Sequence, residues 1–172
     1  KTKVGLPEIQ LGLIPGAGGT QRLPRLIGIQ SALDLILTGK RLNGKRAKRV
    51  GLADAVVPEG QLLAVAKDYA RKKRRFSNGQ PEIASSGKLS QDLPKWATEG
   101  NPIGRKLIQK KAKEMVDAKT NGFYPASFRA LDAVFDGYEV SLEKGLKIEA
   151  KIFGELAKTR ESASLVHLFH AT

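Results

Sequence analysis

Three glycines fall within four positions, Gly16-Ala17-Gly18-Gly19, directly ahead of a pattern typical of a helix. Glycine at this density costs backbone entropy on folding, so the cluster predicts a tight turn or the close approach of another group. One acidic residue, Glu8, stands a few positions ahead of the cluster. The order of these residues predicts a carboxylate, then a turn, then the beginning of a helix.

Short elements are predicted on both sides of this turn. Residues 2–6 read as an extended segment, because the residue before Pro7 avoids the helical region. Thr20 is the predicted cap of a short helix that ends at Gly28. The elements predicted next are a buried helix over 31–37 that stops at Gly39, a helix from Asn43 to Gly51, a strand over 53–57 and an amphipathic helix over 59–75.

The second half of the chain reads as helices only. Residues 77–101 are rich in Ser, Gly, Gln, Asn and Pro, and predict a loop or an internal boundary. Beyond it, apolar residues recur at helical spacing, and a last short helix is expected over 163–170. The three apolar stripes are Ile103, Leu107, Ile108, Met115 and Val116; Tyr124, Phe128, Leu131, Phe135 and Tyr138; and Leu142, Leu146, Phe153 and Leu156. We therefore expect an α-rich α/β fold, mostly helical with few short strands.

Composition and charge limit the classes of function. The 172 residues contain no cysteine, which excludes disulfides and thiolate metal sites, and no apolar run has the length of a membrane span. The formal net charge of +13 attracts polyanions such as nucleic acid, anionic membranes or phosphorylated cofactors. Two basic clusters, at 71–75 and at Lys106, Lys110, Lys111 and Lys113, read as a charged helix end and a solvated helix face.

Two further sequence patterns, a glycine-rich nucleotide loop and a histidine metal site, are incomplete. A dinucleotide loop of the G-x-G-x-x-G type starting at Gly16 needs glycine at position 21, which is Gln21. His167 and His170 share one helix face, but a zinc site needs further ligands. The sequence therefore predicts neither a nucleotide loop nor a metal site.

The motif around the glycine cluster resembles the crotonase (enoyl-CoA hydratase/isomerase) superfamily. The resemblance rests on PEI at 7–9 and GLIPGAGGTQRL at 12–23, and continues through LTG at 37–39, GL at 51–52 and VV at 56–57. Three later segments are similar to multifunctional fatty-acid oxidation alpha subunits, in which a hydratase domain is joined by a helix to a 3-hydroxyacyl-CoA dehydrogenase. They are NP at 101–102, GFYPA at 122–126 and FGELA at 153–157.

The resemblance implies the C-terminal portion of a crotonase (ClpP/crotonase-like) fold. Residues 1–76 would be the C-terminal part of the core, 77–101 a loop or boundary, and 102–172 a helical region and linker toward a dehydrogenase domain. Glu8 matches the second of two family glutamates, and Gly16 matches the position whose backbone N–H helps to hold the reacting water. The first glutamate and both oxyanion-hole residues match positions upstream of this chain, so we expect the chain alone to be inactive.

By resemblance, the chain is part of an enoyl-CoA hydratase of fatty-acid β-oxidation. Two carboxylates that flank one water can serve as base and acid, and two N–H donors stabilise the enolate. The alternatives are a 3,2-enoyl-CoA isomerase, which works with one base, and a basic RNA-binding or scaffold module. The substrate would be an acyl-CoA thioester without a cofactor, NAD serving only the dehydrogenase domain. The expected partners are the N-terminal half, the dehydrogenase domain and a thiolase beta subunit. The expected location is intracellular, in the cytoplasm of a bacterium or otherwise the mitochondrial matrix.

Overall fold

Helices dominate the computed structural model, which describes residues 2–72, 76–77, 80–81 and 99–171. The strands are β1 (Lys3–Gly5), β2 (Arg41–Asn43), β3 (Phe76–Ser77) and β4 (Gln80–Pro81). The helices are α1 (Gly19–Ile27), α2 (Ile29–Thr38), α3 (Gly44–Arg49), α4 (Leu62–Lys72), α5 (Pro102–Thr120), α6 (Pro125–Tyr138), α7 (Leu142–Leu156) and α8 (Arg160–His170). Single 3₁₀ turns occupy Pro7–Leu11 and Glu59–Gln61. The expected α-rich fold with few short strands is confirmed.

The strands form two small antiparallel pairs. β1 pairs with β2, with Val4 opposite Leu42, and β3 pairs with β4. The strand predicted over 53–57 is wrong, because those residues are irregular and the apolar Val56 side chain packs on Gly44 at the start of α3. A strand needs a hydrogen-bonding neighbour, and the pairs found in the described chain do not include this segment.

Several helix ends follow local signals, but the start of α1 does not. Gly28 and Gly39 end α1 and α2, and the Asn43 side chain caps α3 by accepting from the Arg46 amide at 2.9 Å. The cap of α1 is Gly18, with φ at +85°, so the cap predicted at Thr20 is wrong. Thr20 lies inside the first turn, fully buried.

The core lies where α1, α2, α6 and α7 meet. Its fully buried apolar side chains include Ile14, Ile27, Ile29, Ile36 and Val134. The predicted stripe on α6 is confirmed, and on α7 Leu156 is buried together with an unpredicted Ile152. α8 begins at Arg160, three residues before the predicted start, because Thr159 caps it.

The stripe predicted on α5 is wrong for three of its members. Ile103, Leu107 and Met115 are exposed, while Ile108, Ala112 and Val116 pack toward the core. The main neighbour of α5 is α6. Because one helix covers only a narrow strip of another, the residues of α5 that are covered lie at i, i+4 and i+8.

The amphipathic helix after residue 59 forms as α4 up to Lys72. Leu62, Leu63 and Tyr69 on its apolar side are exposed. The predicted boundary over 77–101 lies for the most part outside the described residues, as does the end of the basic run at 73–75. Among the described residues, no helix is both long and apolar enough to cross a membrane.

Gln21 wedges between α6 and α7 where the two helices cross closely. Its amide nitrogen donates to the Ala133 carbonyl at 2.7 Å and to the Thr20 hydroxyl at 2.9 Å. A Cβ added at Gly137 or Gly145 would overlap the Gln21 side-chain amide. Because both positions are glycine, the polar side chain of Gln21 fits between the two helices and still makes its hydrogen bonds.

We expect Gly145→Ala to destabilise the fold, because the added methyl group overpacks a fully buried contact. Overpacking of this kind costs about 1–3 kcal/mol. Gly154 lies on the same helix, and a methyl group added there would meet no neighbouring element within 4 Å. Gly154→Ala is therefore the matched control and should raise the free energy of unfolding by about 0.5–1 kcal/mol. Urea unfolding of both variants measures the difference, and equal effects would contradict this account of the crossing.

Candidate active site

Glu8 lies on the single 3₁₀ turn Pro7–Leu11, here called the Glu8 turn. Pro7 opens the turn with its fixed φ, and Gly12 ends it with φ at +68°. The amide of Leu13 donates to the Glu8 carbonyl at 3.2 Å, which closes the turn on itself. The backbone of Glu8 is therefore fixed by residues on both sides of it.

Three other elements hold the Glu8 turn from outside. Ile9 is buried against Gly39 at the end of α2, and its carbonyl accepts a hydrogen bond from the Tyr124 hydroxyl at 2.5 Å. Gly12 packs on the backbone of Ser162 at the start of α8. The turn is thus clamped by segments that are distant from it in sequence.

Burial raises the pKa of the Tyr124 phenol above its ordinary value, and a hydrogen bond with the Gly12 backbone offsets part of the rise. The phenol therefore keeps its proton at neutral pH and remains a donor to the Ile9 carbonyl. This hydrogen bond ties the beginning of α6 to the residue next to Glu8.

The Glu8 carboxylate is half-buried, and one of its oxygens has no partner. Among the buried side-chain polar atoms of the described residues, Oε2 of Glu8 is the one that makes no hydrogen bond. An unpaired buried acceptor costs about 1–3 kcal/mol, so such groups are rare and concentrate where a ligand or a reaction uses them. Oε2 of Glu8 therefore has no partner among the described residues, on a turn whose backbone is fixed from both sides.

The glycine loop, residues 16–19, lies beside Leu6, the residue that precedes the Glu8 turn. Leu6, at the entrance to the turn, has its Cδ1 atom 3.5 Å from the position that a Cβ of Gly19 would occupy. Gly16 is exposed, and its amide takes part in none of the backbone hydrogen bonds of the described residues. The structure thus places the glycine loop beside the residue that leads into the Glu8 turn. That Glu8 and Gly16 act together stays a prediction.

A second glutamate, Glu149, binds the glycine loop from α7. Its carboxylate is buried and accepts from the Gly18 amide at 2.5 Å, from the Thr20 amide at 2.9 Å and from the Thr20 hydroxyl at 2.5 Å. A negative charge at this end of α1 is also favoured by the helix dipole. Glu149 therefore supplies the cap that the glycine residue at the N-cap position cannot.

The sequence reasoning missed Glu149, although a signal was present. The buried positions of α7 are Gly145, Glu149, Ile152 and Leu156, which recur at helical spacing. A glutamate within such an apolar row is seldom buried unless it is paired, so its place in the row could have marked it.

Glu99 repeats the same device at the next helix, and the sequence reasoning missed it as well. Its buried carboxylate accepts from the amides of Ile29 at 2.9 Å and Gln30 at 3.1 Å, at the start of α2. The N-cap position of α2 is again a glycine, Gly28. Both glycine-capped helices are therefore completed by a carboxylate that is remote in sequence.

The remaining candidates lie away from these two segments. Lys106, Lys110 and Lys113 line an open groove of about 470 Å³ between α5 and α6, over Phe128 and Leu131. The histidines of α8 are exposed, and the described residues contain no group of three or more possible metal ligands.

Comparison with known proteins agrees with the motif. Residues 1–84 match the family model described as enoyl-CoA hydratase/isomerase. Over its full length the chain is 45% identical to the fatty acid oxidation complex subunit alpha of Vibrio parahaemolyticus and 47% identical to that of Shewanella amazonensis. The chain spans 23% of the length of each of these relatives.

Solved crotonase-family structures share the fold. The match to carnitinyl-CoA hydratase from Mycobacterium avium covers 98% of this chain and 48% of the hydratase chain, at a TM-score of 0.56 and 24% identity. An enoyl-CoA hydratase/isomerase from Pseudoalteromonas atlantica matches 99% of this chain with 50% of its own, at a TM-score of 0.55 and 20% identity. The chain therefore shares its fold with about half of each of these structures.

Tyr124→Phe should change stability in a pH-dependent way. At neutral pH we expect a loss of about 1 kcal/mol, because the Ile9 carbonyl loses a buried donor. The folded pKa of Tyr124 lies above the unfolded value of about 10, so the native state holds the proton more tightly. The stability linked to this proton is therefore complete below about pH 10 and falls as the pH rises further.

Urea unfolding at about pH 8 and about pH 10.5 measures this effect. The loss of stability between the two pH values should be smaller in Tyr124→Phe than in the parent chain, because the variant has no phenol to titrate. Tyr69→Phe, on exposed α4, serves as the control for general alkaline effects. An identical alkaline loss in the parent and in Tyr124→Phe would contradict the burial of this phenol.

Proposed function

We propose that this chain belongs to an enoyl-CoA hydratase of fatty-acid β-oxidation, in which Glu8 transfers protons to and from the substrate. The observation that carries the proposal is the buried, unpartnered Oε2 of Glu8 on a turn that is held from three sides. A general acid or base must reach its proton without being occupied by another partner. Glu8 meets this condition.

Hydration of a 2-enoyl thioester adds the oxygen of water to C3 and a proton to C2. The carboxyl group of Glu8 can accept a proton from the water when it is ionised, or donate one to C2 when it is protonated. The amide of Gly16, an exposed residue, can donate a hydrogen bond to the reacting water. The family's other glutamate and the two oxyanion N–H donors match no residue of this chain. We propose that a longer chain supplies them, as the greater length of the relatives allows.

Isomerisation of a 3-enoyl-CoA to a 2-enoyl-CoA is the second candidate. One carboxylate suffices for it, by removing a proton from C2 and returning it at C4, and no water reacts. The single unpartnered carboxylate at Glu8 favours this possibility as well. The RNA-binding and scaffold alternatives gain no support from the comparisons.

The larger setting of the reaction stays a prediction. The relatives carry the name of a fatty acid oxidation complex subunit alpha, and from this name we infer an acyl-CoA substrate and a larger multifunctional chain. The dehydrogenase domain with its NAD, the thiolase partner and a cytoplasmic location are parts of the same proposal. The metal-free, cofactor-free mechanism and the division at 77–101 stay predictions as well.

Glu8→Gln in the full-length enzyme should abolish proton transfer while leaving the fold intact. General acid–base groups contribute about 10²–10⁴-fold, so we expect kcat for hydration of a 2-enoyl-CoA to fall at least 100-fold. The thermal midpoint should not fall, because the substituted oxygen makes no hydrogen bond. Glu59→Gln, at an exposed glutamate, is the control and should leave kcat unchanged. Normal turnover by Glu8→Gln would refute the proposal.

The 172-residue chain on its own should not hydrate crotonyl-CoA. Glu8 alone provides neither the second carboxylate nor the enolate donors that hydration requires. Loss of the enoyl thioester absorbance, followed with the purified chain and with the full-length enzyme as positive control, measures this. Turnover by the short chain at the rate of the full-length enzyme would show that the remaining groups lie within these residues.

A further inference from the structure

Helix α7 contacts the glycine loop at two points that are one helical turn apart. Glu149 binds the amides of Gly18 and Thr20, and Phe153 lies with its ring 2.6 Å from the position that a Cβ of Gly16 would occupy. The first contact fixes the end of the loop, and the second leaves room at its beginning for glycine alone. α7 therefore acts as a template against which the loop is formed.

The free amide of Gly16 lies beside this template. The amides of Gly18 and Thr20, two and four residues further on, are both occupied by Glu149. Glu149 thus occupies the capped end of α1, while the Gly16 amide at the beginning of the loop makes none of these hydrogen bonds. The direction in which this amide points depends on where α7 holds the loop.

We infer that Glu149 is a positioning residue for hydration, acting through the glycine loop on the water that the Gly16 amide holds. This inference rests on the proposed function. Glu149 does not touch the substrate in this scheme. In this scheme it fixes the position of the water-holding amide relative to the Glu8 turn, whose preceding residue, Leu6, lies beside Gly19.

The two candidate reactions separate positioning from simple stabilisation. Hydration needs a water molecule held against the substrate, whereas isomerisation uses the carboxylate of Glu8 without reacting water. A displacement of the loop should therefore slow hydration much more than isomerisation. Misplacement by about 1 Å can cost about 100-fold in rate, which sets the scale of the expected loss.

The chain also provides a matched control in Glu99. This buried glutamate makes the same kind of contact, to the amides of Ile29 and Gln30 at the start of α2. Neither of those residues belongs to the glycine loop or to the Glu8 turn. Glu99→Gln therefore measures how the loss of a carboxylate cap changes rate and stability when the proposed water site is unchanged.

The experiment compares Glu149→Gln with Glu99→Gln in the full-length enzyme, well below the melting temperature of either variant. Each is assayed for kcat and KM with a 2-enoyl-CoA in hydration and with a 3-enoyl-CoA in isomerisation. For Glu149→Gln we expect hydration kcat to fall about 10- to 100-fold, KM to change less than about threefold, and isomerisation to fall less than about threefold. For Glu99→Gln we expect a lower melting temperature with both rates within about twofold of the parent enzyme.

A gentler pair of variants gives the same test should Glu149→Gln fail to fold. Thr20→Val removes one of the three donors to Glu149, whereas Thr20→Ser keeps it. Hydration should fall in Thr20→Val and be retained in Thr20→Ser. Equal hydration by these two variants would argue for a purely structural role.

The outcomes also separate this inference from the proposed function. If the parent enzyme hydrates 2-enoyl-CoA and Glu149→Gln keeps its kcat, the positioning role is overturned and the proposed function stands. A loss of hydration in Glu99→Gln as large as that in Glu149→Gln overturns the positioning role too. If the folded parent enzyme does not hydrate at all, the proposed hydratase function fails and the positioning role fails with it.

Discussion

A buried carboxylate at the end of a helix organises the half of the molecule that carries the candidate site. Glu149 leaves water only because three donors, two of them backbone amides, replace its hydration. Those amides belong to the glycine cluster and the residue after it, where no side chain is available to cap α1. One interaction thus offsets the desolvation of a charge and completes a helix, and it fixes the loop to α7.

The Glu8 turn depends on the same helices in a different way. Its neighbour Ile9 is anchored in the core, and the Tyr124 hydroxyl and the start of α8 hold the turn from the opposite side. A rigid support of this kind allows one carboxylate oxygen to remain without a partner. The helical second half of the chain therefore holds both segments of the first half that carry predicted site residues.

The sequence predicted the helix ends that depend only on residues at or next to the end itself. Gly28 and Gly39 end their helices because glycine adopts the backbone angles that helix ends require, and Asn43 caps α3 with its own side chain. Glu8 and Gly16 were predicted through a motif, and their roles stay predictions; the structure places Leu6, just before the turn that carries Glu8, beside Gly19.

The predictions that failed concern residues whose structure depends on partners distant in sequence. Glu149 and Glu99 replace the side-chain caps of α1 and α2, so the predicted cap at Thr20 could not be judged without α7. The apolar residues at 53–57 are spaced as in a strand, and those along α5 are spaced as on a broad helix face. Period alone does not show whether a neighbour is present to pair with or to cover them.

Gln21, Gly137 and Gly145 come from three different helices, yet they share one space. A side chain added at either glycine requires a smaller residue at position 21, and a shorter residue at position 21 leaves the Ala133 carbonyl without its donor. The three positions therefore behave as a single unit in any redesign of this domain. Related chains that differ at one of them are expected to carry compensating changes at the others.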